Sequence, residues 1–277
     1  AKKSYLSDIQ AGFQIIHIDP SIDIHTNPSQ SEVLDRIFEL YEYCWNEANK
    51  LNKNIAFEIG TEEQSGSTNT QDELEFTLNE IKKFCKESKI QEPTFVVVQC
   101  GTRVLETNNV GSFDTPLRVM NEIPAEIQLP KMLQICNKYN VMMKAHNTDY
   151  LSTDALNWHP RLGIHAVNVA PEFGVAETKS FLEVLNKNNL SDLSEKFLKI
   201  SFDSKKWEKW LKPNSNLNDK EKAILSGHYV FSKPEFIDLK NAASYELKSK
   251  NINLDEILCE AISRSILRYI SNFRLIS

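Results

Sequence analysis

Five stretches of this sequence end an apolar run in side chains that can move a proton, hold a metal or bind a hydroxyl. The fullest is Val141-Met142-Met143-Lys144-Ala145-His146-Asn147-Thr148-Asp149-Tyr150. The others are Ile15-Ile16-His17-Ile18-Asp19, Ala56-Phe57-Glu58-Ile59-Gly60-Thr61-Glu62-Glu63, Phe95-Val96-Val97-Val98-Gln99-Cys100-Gly101-Thr102 and His165-Ala166-Val167-Asn168-Val169-Ala170. Buried parallel strands look like this when their C-terminal ends deliver chemistry. We expect these ends to converge on one site.

Each residue has a functional and a plainer reading. His146 suits a metal, since imidazole is the commonest metal ligand, and equally suits a strand-end histidine bonded to a backbone carbonyl. Asp19, between Ile18 and Pro20, reads as a catalytic acid/base or as a capping acid. Glu62 and Glu63 are site carboxylates or solvated loop acids, with Glu62 nearer its strand. Gln99 ends a very apolar strand and must be paired, which favours a ligand-facing role. Arg103 is a phosphate ligand or a surface arginine. His17 and His165 lie inside strands and read as core histidines. Trp207 and Trp210 read as packing.

The elements that must carry these residues follow from periodicity. A helix ends at Gly12, and a strand covers 13–18. Ser31 caps a helix with Leu34, Ile37, Phe38, Tyr41, Cys44, Trp45 and Ala48 at three- and four-residue steps. Strands at 55–59, 94–99, 141–145 and 164–169 alternate with helices from Thr70, over 124–139 and over 173–186. The intervals 60–69 and 101–115 read as long polar loops, and residues 154–157 allow one helical turn. Such alternation predicts an α/β fold on a parallel sheet. Beyond Leu190 the texture becomes helical and closes with an amphipathic helix over 254–273. The expected division is therefore 1–190 as the α/β part and 191–277 as a helical extension packed on it.

Composition narrows the classes. A chain of 277 residues with 41% hydrophobic and 25% charged residues can bury the core of a barrel-sized soluble domain. Net charge is -6, with no basic block, so nucleic acid is not an expected partner. The five cysteines are scattered and form no C-x-x-C, which fits a reducing cytoplasm. No apolar run approaches the roughly 20 residues that span a bilayer, and no signal peptide is visible, so no membrane is expected. The nucleophile-elbow, P-loop and dinucleotide-binding glycine motifs are missing.

Taken together, Ala11-Gly12-Phe13, Ile16-His17-Ile18-Asp19-Pro20-Ser21, Ile59-Gly60-Thr61-Glu62, Val97-Val98-Gln99 and Ala145-His146-Asn147-Thr148-Asp149-Tyr150 resemble the Z-type subunit of tagatose-1,6-bisphosphate aldolase. The last string is the most specific. Asn168-Val169-Ala170-Pro171-Glu172-Phe173 resembles the last-strand phosphate segment of the wider class II aldolase superfamily. The resemblance covers roughly the first 190 residues. Gly227-His228-Tyr229-Val230-Phe231-Ser232 is similar to a Tyr-x-Phe-Ser element of the family.

The resemblance implies a (β/α)₈ TIM barrel of which this chain carries strands four to eight, so that residues upstream of Ala1 are expected to supply the rest. It implies metal-dependent aldol or retro-aldol chemistry on a ketohexose phosphate, with a divalent metal, zinc by preference, held by His146 and Glu62. Asp19 and Glu62 would be catalytic, and Gln99, Arg103, Asn147, Asp149 and Asn168 would bind substrate. The chain departs from catalytic class II members where Gln99 stands for a histidine and Pro171 for a hydroxyl residue. Two roles fit these departures: a metal-dependent 4-epimerase of ketose phosphates, or an accessory subunit stabilising a separate class II aldolase subunit. Partners implied are the sugar phosphate, that subunit and further copies of the chain.

Overall fold

A computed structural model of the chain describes residues 1–21, 28–60, 70–113 and 123–276. The chain opens with α1 (Lys2–Ala11), stopped by Gly12, whose φ of 92° is the left-handed conformation glycine adopts without strain. Strand β1 (Ile15–Ile18) leads to α2 (Gln30–Lys50), then β2 (Ala56–Ile59), α3 (Gln71–Ser88) and β3 (Phe95–Val98). A short antiparallel hairpin follows, β4 (Val104–Leu105) with β5 (Asn108–Asn109). Next come α4 (Ala125–Lys138), β6 (Met142–Ala145), α5 (Thr153–Leu162), β7 (Ala166–Val167) and α6 (Pro171–Lys187). The remainder is helical: α7 (Ser191–Asp203), α8 (Asp219–Ser226), α9 (Pro234–Lys248) and α10 (Leu254–Asn272).

The five expected strands form one parallel sheet in the order β1-β2-β3-β6-β7. Their C-terminal ends therefore share one edge. Two capping boxes launch helices on this sheet, Thr70 with Glu73 at α3 and Ser29 with Glu32 at α2. The α2 cap lies two residues before the expected Ser31. Ser31 has Leu34 three residues on, whereas Ser29 has Glu32 there to bond back to its amide at 2.7 Å.

The chain divides into two compact units. The first comprises residues 1–103, 110–146 and 158–168, and holds the whole parallel sheet. One sheet face, carrying Ile16, Ile18, Phe57, Ile59, Val96, Val98, Met143 and Ala145, is buried in two apolar clusters with α1 to α4. The alternate face carries His17, Glu58, Val97 and Lys144. It is partly open, with Ile15 46% exposed.

The second unit comprises residues 104–109, 147–157 and 169–277, so it begins before residue 191 and borrows two earlier segments. Its core packs Phe181, Phe197, Val230, Phe236 and Leu247 from α6, α7, the turn at 227–230 and α9. The unit boundary falls inside α5, a full ten-residue helix where one turn was expected. Pro160 sits within α5 without ending it. Ile127 is 54% exposed, because α4 turns Leu129, Met132 and Cys136 inward. Among the described residues no helix is long and apolar enough to cross a membrane.

Candidate functional site

The first unit gathers polar side chains at the shared strand edge. Asp19 follows β1, Gln99 follows β3, His146 follows β6 and Asn168 follows β7, whose end is held by the bond from Asn168 N to Ala145 O at 3.0 Å. Arg103 lies further along the chain after β3 and is exposed. Glu62, proposed on resemblance as metal ligand and catalytic acid, and its neighbour Glu63 lie outside the described residues.

Gln99 is almost wholly buried, and its amide Nε2 stands 3.1 Å from His146 Nδ1. Thr102 Oγ1 donates to the His146 carbonyl, which fixes the backbone beneath the ring. Burial is the main reason His146 has its pKa lowered to about 4; Asp19 and Glu58 oppose that shift while His17 and Lys144 add to it. The ring is thus neutral at pH 7, the state a metal ligand or base requires. With the Gln99 amide nitrogen facing Nδ1, that nitrogen accepts and Nε2 carries the proton. Turning the amide so that its oxygen faces Nδ1 would leave Nε2 bare for a metal. Among the described residues no group of three or more His, Cys, Asp or Glu could hold a metal.

The open face of the sheet also carries a network of paired charges. Glu58 is 2% exposed, with Oε2 2.7 Å from Lys144 Nζ and Oε1 2.8 Å from His17 Nδ1. Burial pushes its carboxyl up, but the hydrogen bonds from His17 and Lys144 together outweigh it and hold the pKa below the ordinary value. His17 is not a core histidine: its side chain is 43% exposed, and Nε2 lies 4.0 Å from Asp19 Oδ2. Asp19 Oδ1 accepts from the Ser21 amide at 2.9 Å, which orients the carboxylate. Gly60 completes the arrangement, since a Cβ there would lie 2.7 Å from His17 Cε1 and 3.0 Å from Asp19 Cβ. The signal available in sequence was a Glu, a His and a Lys at inward positions of otherwise apolar strands, where each must find a partner. His165, likewise read as core, is exposed, and its Nδ1 accepts from Met143 N at 3.2 Å.

Asn147 and Asp149 belong to the second unit. Asn147 adopts a positive φ of 51°, and its carbonyl accepts from Asn109 Nδ2 at 2.9 Å. Asp149 is 1% exposed, and Oδ1 accepts from the Ala170 and Glu172 amides, both at 2.9 Å. It caps the start of α6, so that oxygen is committed to the backbone. Burial raises its pKa to about 6, with the nearby Glu172 adding to the rise and the amide bonds opposing it. Glu172 in turn accepts from Tyr150 N at 2.6 Å and from the Tyr269 hydroxyl, with Arg268 Nη1 at 3.5 Å. Tyr269 also bonds the Thr148 carbonyl, and Arg268 the Leu151 carbonyl. Two residues of α10 thereby hold the loop at 148–151 against α6.

No protein-family model matches this sequence, and no curated protein matches it. Solved structures do. A probable tagatose 6 phosphate kinase from Sinorhizobium meliloti superposes with a TM-score of 0.74 at 14% identity, over 97% of this chain and 75% of that one. The fructuronate-tagaturonate epimerase of Cohnella laeviribosi gives 0.57 at 10% identity, over 99% of this chain and 66% of that one. This chain thus spans about two thirds to three quarters of their lengths. Likeness at such identities is a likeness of fold. The chain has the α/β fold of these two proteins, in agreement with the resemblance of its strand ends to the Z-type group.

Proposed function

We propose that the protein belongs to a (β/α)₈ barrel acting on a ketohexose phosphate by aldol or retro-aldol chemistry, as an aldolase or a 4-epimerase. The carrying observation is the array of Asp19, Gln99 and His146 at the C-terminal edge of one parallel sheet, the edge at which barrel enzymes place their sites. A parallel sheet with a part-open face and two edge strands is the form that further strands would close into a barrel. The fold shared with a probable tagatose 6 phosphate kinase and a fructuronate-tagaturonate epimerase supports the substrate class.

In this reading Asp19 contacts or deprotonates a substrate hydroxyl, and Gln99, Arg103 and Asn168 contribute to the pocket. His146 and Glu62 would supply two metal ligands, and a zinc site of the catalytic kind needs a third, from residues beyond those described. A divalent metal, when bound, would polarise the ketose carbonyl. The expected result is a metal-containing full-length protein that epimerises or cleaves ketohexose phosphates, and a His146→Ala variant that loses both metal and turnover. Unchanged metal content and unchanged turnover in that variant would remove His146 from the site.

One observation favours a second reading. Gln99 stands where the resemblance implies a histidine and Pro171 where it implies a hydroxyl residue, and on these departures an accessory subunit supporting a separate class II aldolase is a distinct proposal. Metal-free, inactive protein that raises the activity of such an aldolase would establish it.

A further inference from the structure

We propose that His17 is a catalytic residue of this site, taking and returning the substrate hydroxyl proton, and that Glu58 is the positioning residue that orients it. The proposal rests on the retro-aldol reading above. Glu58 Oε1 accepts from His17 Nδ1–H at 2.8 Å, which leaves Nε2 as the bare, basic nitrogen of the ring. That nitrogen belongs to a half-exposed side chain, and Asp19 Oδ2 stands 4.0 Å away. This separation is too long for a direct hydrogen bond, so each group can accept from a different substrate hydroxyl. One hydroxyl gives its single proton to Nε2, and the Asp19 carboxylate accepts from a neighbouring hydroxyl of the same substrate. Lys144 Nζ, 2.7 Å from Glu58 Oε2, holds the far oxygen so the carboxylate cannot turn away. Gly60 leaves the space beside which ring and carboxylate sit: a Cβ there would fall 2.7 Å from His17 Cε1 and 3.1 Å from Asp19 Cγ.

The step balances without a redox partner. Nε2 takes the hydroxyl proton, and the O–H electron pair becomes the π bond of a new aldehyde. The adjacent C–C bond breaks, its pair forming the enediolate double bond as the ketose carbonyl π electrons move onto oxygen. Re-addition reverses every movement and returns the proton to the same oxygen, on either face of the aldehyde.

Glu58→Gln is a sharp probe, because lysine offers only donors. The glutamine oxygen must face Lys144, so its amide nitrogen faces His17 Nδ1 and makes that nitrogen an acceptor. The ring proton then moves to Nε2, the wrong tautomer for a base. The experiment uses the full-length protein, with ring ¹⁵N spectra of His17 and steady-state turnover of ketohexose phosphates. Wild type should show Nδ1 protonated and Nε2 bare, and Glu58→Gln the reverse, with kcat lowered about tenfold or more. His17→Gln should lower kcat by about 10²–10⁴-fold while KM stays within a few-fold. A wild-type ring already protonated at Nε2 overturns the proposal without need of any variant. An active wild type whose His17→Gln variant keeps its kcat overturns it while leaving the sugar-phosphate reading intact. A wild type inert on every ketohexose phosphate refutes the reaction itself, and the role of His17 with it.

Discussion

Replacing Asp149 by Asn should stabilise the protein near neutral pH, and the gain should vanish in acid. The carboxyl is 1% exposed and has a pKa of about 6 against an ordinary 3.8, with burial the leading cause. A raised acid pKa means that the folded state binds its proton more tightly. The associated stability is full below the unfolded pKa of 3.8 and is lost as pH rises through about 6. The difference of roughly 2 units corresponds to about 3 kcal/mol in total. Between about pH 4.5 and about pH 7.5 the wild type should lose about 2 kcal/mol from this group. Asparagine keeps the Oδ1 that caps Ala170 and Glu172 and carries no charge, so its stability lacks this term. It brings amide hydrogens that cost about 1–3 kcal/mol if unpaired, but that cost is the same at every pH. The difference between variant and wild type, read by urea unfolding across the range, should therefore rise with pH by about 2 kcal/mol. A pH-independent difference, or one that falls as pH rises, would refute the account of the buried acid.

Three further outcomes follow from packing and charge. Glu58→Ala should cost about 2–4 kcal/mol in urea unfolding, because it strands the part-buried Lys144 ammonium; a cost below 1 kcal/mol, the range of a surface pair, would count against that network. Gly174→Ala on α6 should lower the thermal midpoint, since its Cβ would fall 2.5 Å from His228 Cγ and 2.6 Å from His228 Cβ, an overpacking worth about 1–3 kcal/mol; an unchanged midpoint would show that the ring gives way freely. His228 itself has its pKa lowered to about 4, chiefly by burial and then by Lys209. Its contribution is present above about pH 6.5 and lost as pH falls through about 4, so His228→Asn should flatten the acid limb of the unfolding curve; an identical acid limb would contradict this.

The sheet was legible because strand and helix periods differ and each apolar run carried its own polar end. All five strands, the stop at Gly12 and the cap at Thr70 lie where residue patterns place them. The hairpin at 104–109 and the helix through Pro160 were not legible. The first is held by two residue pairs too short to show a period, and the second keeps a proline that usually signals a break. At the site, residues at strand ends stood out, while His17, Glu58 and Lys144 did not. Their meaning lies in cross-strand neighbours, His17 opposite Glu58 in the β1–β2 register and Lys144 from β6, and a single sequence carries no record of register.

The bonds from α10 to the loop at 148–151 and to Glu172 tie the making of the protein to its shape. Thr148 meets Tyr269 across 121 residues, and Glu172 meets it across 97. On a ribosome adding about 5–20 residues per second, Thr148 waits roughly 6–24 s for its partner to be synthesised. Through that interval Glu172 has neither the tyrosine hydroxyl nor the Arg268 guanidinium, and the nascent loop has no latch. A message cut short before the codon for Arg268 would release chains permanently caught in this state, with an unfastened loop for proteases to find.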